Sequence, residues 1–355
     1  MIEEMILKNF TVFDGELNMQ FSPKINIIIG ENGTGKTHLL KGAYAMCSGA
    51  QLFKSTPDAD DSDLEAFLTT KLLRLFMPLD DKLGKMHHNG ALEQANIYAR
   101  LDKEKEIAAT FFNNSKALDI KNRKNYRSYS EEPVFIPTKE VISFMKGFTS
   151  LYEKYGLSFD QTYNEICLLL DLPEVRRETL HEKSKWAMDE IEGICGGRFI
   201  FYGGGKVTFK SENSEYSANS IAEGFRKVGM LARLLETGAI QPGVSGPLFW
   251  DEPETSLNPK LMKLLVQLLF ELSRNGQQII LATHDYVFLK WFDLLADEKK
   301  EDHVRFHALY RDPETDRVLV DSVDSYNAIS PNAISDTFND LTKEQVSKSM
   351  GNLGK

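Results

Sequence analysis

Cysteine is scarce. The three present, Cys47, Cys167 and Cys195, lie at long, irregular spacing. An odd, scattered set builds neither a disulfide framework nor a zinc knuckle, and reads as idle thiols of a reducing compartment. Uninterrupted apolar runs are short. The best segment, Leu261 to Leu272, is broken by Lys263, Gln267 and Glu271 and reads as an amphipathic helix, so no membrane-spanning helix is expected. The opening MIEEMILKNF carries Glu3 and Glu4 and no apolar core, so a secretory leader is not expected and a cytoplasmic location is. Positive charge is in deficit: Lys and Arg number 42 against 52 Asp and Glu, a net charge of −10. That excludes a surface coated for non-specific duplex binding but leaves room for a local basic groove. Internal repeats and low-complexity tracts are absent.

What remains is ordinary globular sequence. The chain has 355 residues, 42% of them hydrophobic, enough for about two domains or one domain with an insertion. Met5 to Phe10 and Leu17 to Phe21 read as strands joined by a turn at Asp14-Gly15. Ile25 to Ile29 reads as a strand buried on both faces, followed by a helix from His38 to Cys47. Gln51 to Asp63 reads as a mobile acidic loop, Leu64 to Phe76 as a helix, and Asn96 to Phe112 as an edge hairpin. Pro133 to Pro137 is a short buried strand. Glu140 to Tyr155, Phe159 to Leu170 and the charged Pro173 to Ile194 read as helices. A glycine turn at Gly203-Gly204-Gly205 joins two further strands. Helix Ile221 to Leu235, strand Gly246 to Trp250, helix Lys260 to Arg274 and strand Gln278 to Ala282 follow. A hairpin over Val304 to Val320 precedes a polar tail, read as mobile from Asn339 onward.

Gly30-Glu31-Asn32-Gly33-Thr34-Gly35-Lys36-Thr37 fills every fixed position of GxxxxGK[ST], between a buried strand and a helix. Glycines let such a loop wrap with its N–H groups turned to phosphate oxygens, and the helix N-terminus adds partial positive charge. Lys36 supplies a point charge for the outer phosphates, Thr37 a hydroxyl for Mg²⁺, and His38 opens the helix. The loop as a whole, Gly30 to His38, is the candidate ATP site.

A second apolar strand, Pro247 to Trp250, runs into Asp251-Glu252-Pro253-Glu254. Acids at the end of a buried strand put carboxylates at the sheet edge that a phosphate loop also uses. Asp251 suits the shell of Mg²⁺. Glu252, on the other side of the strand, suits a base that polarises water. Ile279 to Ala282 is another buried strand, ending at Thr283-His284, and His284 is placed to contact a γ-phosphate or the attacking water.

Together these three elements resemble the ATP-binding-cassette class of ATPase. They are most similar to its soluble branch, the RecF and structural-maintenance-of-chromosomes (SMC) proteins and the OLD-type and Septu-type AAA-family ATPases of bacterial phage defence. Leu7-Lys8-Asn9-Phe10, Asn26 to Gly33 and Trp250 to Glu254 carry the resemblance, which covers roughly residues 1–50 and 196–310. It implies an α/β phosphate-loop head, with a parallel-core sheet and an antiparallel edge, carrying a compact helical insertion. It implies ATP and Mg²⁺ as ligands, ATP hydrolysis, and a homodimer closed around ATP. In that class a signature loop reaches the partner's γ-phosphate. The matching stretch is Ser220 to Lys227, with Ala222, Glu223 and Gly224 as the contact residues. Ala222 stands where the family has serine, which removes a hydroxyl donor. Backbone N–H groups of Glu223 and Gly224 remain, with Arg226 or Lys227 as replacements. Thr255 to Asn258 falls at the family's dimer-contact loop. Ile136-Pro137-Thr138-Lys139-Glu140 falls where the family senses Mg²⁺ with a glutamine that is missing here, which leaves Lys139 and Glu140 as the candidates.

The expected organisation is an N-terminal lobe over 1–140, a helical insertion over 141–195 and a C-terminal lobe over 196–355. No sustained heptad separates Glu140 from Ser220, so long-range tethering of DNA is not expected. Lys116, Lys121, Arg123, Lys124 and Arg127, interleaved with Tyr126 and Tyr129, form a candidate contact for nucleic acid. His87-His88 has no metal-ligand spacing and reads as surface. The sequence after His284 is too short for the nuclease domain of OLD-type proteins, so cutting or killing is expected from a partner effector, a nuclease or toxin. The leading reading is an ATP-driven switch controlling that partner in phage defence. The alternatives are a RecF-like repair ATPase that binds DNA directly, a slow-hydrolysing ATP-bound scaffold, and the nucleotide-binding subunit of a transporter.

Overall fold

Ile25–Gly30 is the strand on which the molecule is built, because every residue from Ile25 to Ile29 is buried. In the computed structural model, which describes residues 1–350, the chain runs β1 (Ile2–Phe10), β2 (Phe13–Gln20), β3 (Ile25–Gly30), α1 (Lys36–Ser48), α2 (Leu52–Ser55), α3 (Asp61–Phe76), β4 (Ala95–Leu101), β5 (Lys105–Phe111), β6 (Asp119–Asn122), β7 (Val134–Ile136), α4 (Phe148–Tyr155), α5 (Gln161–Leu170), α6 (Glu182–Cys195), β8 (Arg198–Phe201), β9 (Val207–Lys210), β10 (Glu215–Ser217), α7 (Glu223–Glu236), β11 (Leu248–Asp251), α8 (Pro259–Arg274), β12 (Ile279–Ala282), α9 (Tyr286–Leu295), β13 (Val304–Arg311), β14 (Val318–Val323) and α10 (Ala333–Met350).

A six-stranded sheet has the order β14-β13-β3-β12-β11-β7. Its inner pairings are parallel, and only β14 runs antiparallel, at one edge. This is the parallel core with an antiparallel edge that the sequence implied. Strands of a parallel sheet bury both faces, so alternate residues feed two cores. Ile27, Ile29, Leu248, Trp250, Ile279 and Leu281 face one core. Ile28, Phe135, Phe249, Ile280 and Ala282 face the other. The second core is closed by α1, α3 and a five-stranded antiparallel sheet of order β2-β1-β4-β5-β6. A small β10-β9-β8 sheet lies beside α7.

Two buried amides join the layers. The Asn26 side chain accepts from Ser22 N (2.7 Å) and donates to Ser22 O (2.8 Å). Gln278 Oε1 accepts from Ile2 N (2.9 Å), and its Nε2 donates to Ile2 O and Ser22 O (both 2.8 Å). A buried amide is tolerable only when saturated in this way.

Several sequence expectations shift. The β1–β2 reversal lies at Thr11-Val12, closed by the Phe10–Phe13 pair, and Asp14-Gly15 forms a bulge opposite Asn9. Asn9 Oδ1 accepts from Gly15 N (3.0 Å), which fixes it. Gln51 to Asp63 contains the one-turn α2, and Asp60 and Asp63 form a reciprocal capping box that starts α3. The helix expected from Glu140 begins only at Phe148, behind the left-handed Gly147, because Glu140 is buried in an ion pair instead. The charged stretch from Pro173 becomes helical at Glu182 after a short 3₁₀ turn. Asn339 to Met350 belongs to α10, and residues 351–355 of the expected mobile tail lie outside the described residues.

Phe249 is fully buried, between Tyr44 (centroids 5.9 Å apart) and a stacked Phe135 (6.3 Å). Phe249→Ala should lower stability by about 3–5 kcal/mol in urea unfolding, through lost contacts and the cavity left behind.

Candidate functional site

The loop between β3 and α1 depends on backbone shapes only glycine adopts freely. Gly30, Gly33 and Gly35 have φ of 152°, 82° and 92°. A β-carbon on Gly30 would lie 2.4 Å from Leu309 O, and one on Gly35 2.6 Å from Val12 Cγ2. Thr34 Oγ1 donates to Glu31 O (2.8 Å), closing the turn. Lys36 Nζ folds onto the loop carbonyls of Gly30 (2.7 Å) and Glu31 (3.1 Å). Burial lowers its pKa, and Glu252, Asp251 and Glu254 oppose that shift. Helix α1 has no side-chain cap and no acid in its first turn. Leu39 N to Gly35 O (2.9 Å) closes that turn, so the N–H groups of Lys36, Thr37 and His38 precede it and are available to an anion. Arg311, at the end of β13, adds a donor at the loop tip, Nη2 to Gly33 O (3.3 Å).

The acids expected at the end of β11 meet this loop. Asp251 Oδ2 accepts from Thr37 Oγ1 (2.9 Å) and from Thr138 Oγ1 (3.2 Å). Burial pushes its carboxyl above the usual range, and Glu252 adds to the rise. A hydroxyl and a carboxylate in contact, at the mouth of a phosphate loop, are oxygen donors of the kind Mg²⁺ takes. Glu252 lies one residue past β11 in a left-handed turn, φ 48°. Its N–H donates to Ala282 O (2.9 Å), and its Oε1 lies 3.2 Å from His284 Nδ1. The His284 side chain is 53% exposed, so the ring beside Glu252 is open to solvent.

Two further residues support this strand end, and neither was singled out for a role in the sequence. Glu254 is buried and accepts from Thr283 Oγ1 (2.7 Å) and from the backbone N–H of His284 (3.2 Å), while burial raises its pKa. Thr138 follows β7 and supplies the side chain that touches Asp251. Its neighbour Lys139 is exposed, and Glu140 is buried against Arg226 (2.8 Å).

Ala222 to Lys227 is placed at the start of α7. Ala222 is the N-cap without a side-chain bond, and Ala222 and Glu223 are exposed. Gly224 is buried, and a β-carbon there would lie 2.7 Å from Ser256 O of the same chain. Arg226 and Lys227, expected as outward replacements for the missing serine, turn inward. Arg226 bonds Glu140 and the Ile221 carbonyl. Lys227 Nζ donates to Glu252 O (2.6 Å), Thr138 O (2.8 Å) and Thr255 O (3.4 Å), and burial pushes its pKa down to about 8. Asn258 in the same segment caps α8, accepting from Lys260 N and Leu261 N (both 3.0 Å).

The basic stretch does not form a stacking platform. Tyr126 and Tyr129 are buried, and Tyr126 donates to the Met46 carbonyl. Lys121 pairs with Asp119, Arg123 with Asp61, and Arg127 binds the Ala59 carbonyl. Lys116, Lys121, Lys124 and Arg127 remain exposed. His87 is buried, not surface, with ring nitrogens 2.9 Å from the carbonyls of His88 and Glu93. The three cysteines are free and buried, and burial raises each thiol to about 12. Among the described residues no His, Cys, Asp and Glu cluster fits a metal ion, and no helix is long and apolar enough to cross a membrane.

A family model described as AAA ATPase domain matches residues 1–191. A second AAA-domain model, linked in its description to the AbiEii toxin of a type IV TA system, matches residues 214–290. The DNA replication and repair protein RecF of Alkaliphilus oremlandii is 34% identical over 59 residues, 17% of this chain and 16% of that protein. RecF of Halalkalibacterium halodurans is 41% identical over 63 residues, 18% of this chain and 16% of that protein. The chain therefore matches about a sixth of the length of these curated relatives. The SMC head domain from Thermotoga maritima superposes with a TM-score of 0.50 at 13% identity, over 91% of this chain and 98% of that one. An SMC head bound to the C-winged helix domain of ScpA superposes with a TM-score of 0.55 at 14% identity, over 92% and 98%. The fold is that of an SMC head.

His38, within the loop motif, packs its ring edge-on against Phe76 (5.5 Å), and burial, then Lys41, lowers its pKa to about 4. An unfolded imidazole takes its proton near pH 6.5, so stability should fall as pH drops from about 6.5 to 4, by about 3 kcal/mol in full. Urea unfolding at pH 7.5 and 4.5 should show a smaller loss for His38→Phe than for wild type. Equal losses would mean that the ring is not buried in this way.

Proposed function

The chain belongs to the AAA ATPase domain family, and from that premise we propose that it binds ATP on the loop Gly30 to His38 and hydrolyses it to ADP and phosphate. The contact of Thr37 with Asp251 carries the reading, since it joins the phosphate loop to the acidic strand end in one site. Thr37 and Asp251 would hold Mg²⁺, which offsets phosphate charge during transfer. Lys36 leaves the carbonyls of Gly30 and Glu31 for the outer phosphates. Glu252 accepts the proton of the attacking water, and His284, 3.2 Å away, orients it or the γ-phosphate.

The wider proposal is a switch. Two copies close around ATP, with Ala222, Glu223 and Gly224 of each facing the other's nucleotide, and the closed state controls a partner effector, a nuclease or toxin, in phage defence. The exposure of Ala222, Glu223 and His284 supports it, because residues meant for a second copy must lie on the surface of the first. The RecF identities favour a second reading, a repair ATPase that binds DNA directly. The burial of Tyr126 and Tyr129, which removes the stacking rings from the basic stretch, weighs against that reading.

Lys36→Ala should weaken ATP binding on the order of 100-fold, the loss of charge-assisted bonds to phosphate. Wild-type affinity in that variant, by calorimetry, would sink the site assignment. Glu252→Gln should still bind ATP but hydrolyse it on the order of 10² to 10³ times more slowly. Light scattering should then find an ATP-dependent dimer. A mass unchanged by ATP would remove the sandwich from the proposal.

A further inference from the structure

We infer that Lys227 is a positioning residue for hydrolysis, fixing from α7 the left-handed turn that aims Glu252. The inference rests on the reading of Glu252 as the base. Lysine is almost never fully buried unless it is paired, and Lys227 is 1% exposed. Among the described residues its ammonium makes no ion pair. Its donors go to three backbone carbonyls, Glu252 O (2.6 Å), Thr138 O (2.8 Å) and, at longer range, Thr255 O (3.4 Å). An ammonium has three protons to give, and this one gives them to two segments that lie far apart in the chain, the loop at Thr138 and the turn from Glu252 to Thr255.

The choice of carbonyls is what assigns the role. Glu252 O and Thr255 O bracket the turn, in which Glu252 at φ 48° holds a conformation unfavourable for a residue with a β-carbon. Such a shape persists only where its surroundings impose it. The Glu252 N–H is held from one side by Ala282 O (2.9 Å) and its carbonyl from the other by Lys227. The third carbonyl belongs to Thr138, whose hydroxyl contacts Asp251 (3.2 Å). One ammonium therefore ties together the backbone of the base and the residue that touches the Mg²⁺-holding carboxylate. Packing alone would be served by leucine or methionine, without the cost of desolvating a charge.

The test compares Lys227→Met with wild type, alone and in a Glu252→Gln background. Turnover is measured per nucleotide-bound site, and ATP affinity and melting temperature are measured alongside. Lys227→Met should bind ATP within about threefold of wild type while its kcat falls on the order of 10- to 100-fold, because the lost interaction serves only the reacting state. In Glu252→Gln the same substitution should change kcat by less than about twofold, since it acts through a base already removed. Two independent effects would instead multiply. Wild-type kcat in Lys227→Met, with only a lower melting temperature, would overturn the positioning role and leave Glu252 as base. Wild-type kcat in Glu252→Gln alone would overturn the base reading and this inference with it. If Lys227→Met does not fold, Lys227→Gln keeps an N–H donor. It should show an intermediate kcat, and full kcat per bound site would again overturn the claim.

Discussion

Three carboxylates, Asp251, Glu252 and Glu254, stand within four residues at the end of a fully buried strand, and the site depends on keeping them apart. Two unit charges about 4 Å apart repel by about 4 kcal/mol at a near-surface dielectric, so a cluster of bare acids would protonate or unfold the turn. Each has a hydrogen-bonding partner, His284 serving two of them. Asp251 takes the hydroxyls of Thr37 and Thr138, Glu252 lies beside His284, and Glu254 is turned back to Thr283. Lys36 and Lys227 bring two positive charges into the same volume, each held by carbonyls and not by the acids themselves. The acids therefore make no direct ion pairs with lysine, as the proposed roles of Asp251 toward a cation and Glu252 toward a proton require.

That arrangement is possible because β3, β12 and β11 are adjacent and parallel. Their carboxyl ends then share one edge, the place where open α/β sheets bind ligands. Three segments distant in sequence, 30–38, 251–256 and 283–285, meet there without any long loop. The helices α1 and α8 follow β3 and β11 and return the chain to the opposite edge. The buried amides of Asn26 and Gln278 anchor the other end, so the sheet is pinned at the edge away from the loop.

How much of this was legible in the sequence depended on how local the cause was. The loop Gly30 to Thr37 and the strand end at Asp251 could be read because glycine φ, strand burial and motif spacing are properties of neighbouring residues. The basic stretch misled because interleaved charge and tyrosine look alike whether the rings face solvent or core. Tyr126 and Tyr129 are fixed by Met46 and the packing of α1 and α3, far away in sequence. Glu140 failed as a helix start for the same reason, its partner Arg226 being on α7. Lys227 did leave a signal. It lies on the stripe Gly224, Val228, Leu231 and Leu235, all buried, at the three- and four-residue spacing of a core-facing helix side. A lysine in that stripe cannot reach solvent over a single turn and must find acceptors inside.

The start of α7 then has two faces with different duties. Its inward residues are committed: Gly224 admits the Ser256 carbonyl, Arg226 holds Glu140 and Lys227 holds the turn at Glu252. The side chains of its outward residues, Ala222 and Glu223, are exposed, and Ala222 serves the helix through its carbonyl, which accepts from Phe225 N (3.0 Å) and Arg226 N (3.2 Å). The absence of serine at 222 is therefore not compensated by the neighbouring cations, whose donors are already used within the chain. What a second copy could meet at this helix end is backbone N–H and the helix dipole, worth roughly 0.3–1 kcal/mol when exposed and more when dry. A closed dimer of this chain would rest on weaker contacts to the γ-phosphate than one carrying the hydroxyl. The same helix would still couple any movement of that surface to the turn at Glu252, through Lys227.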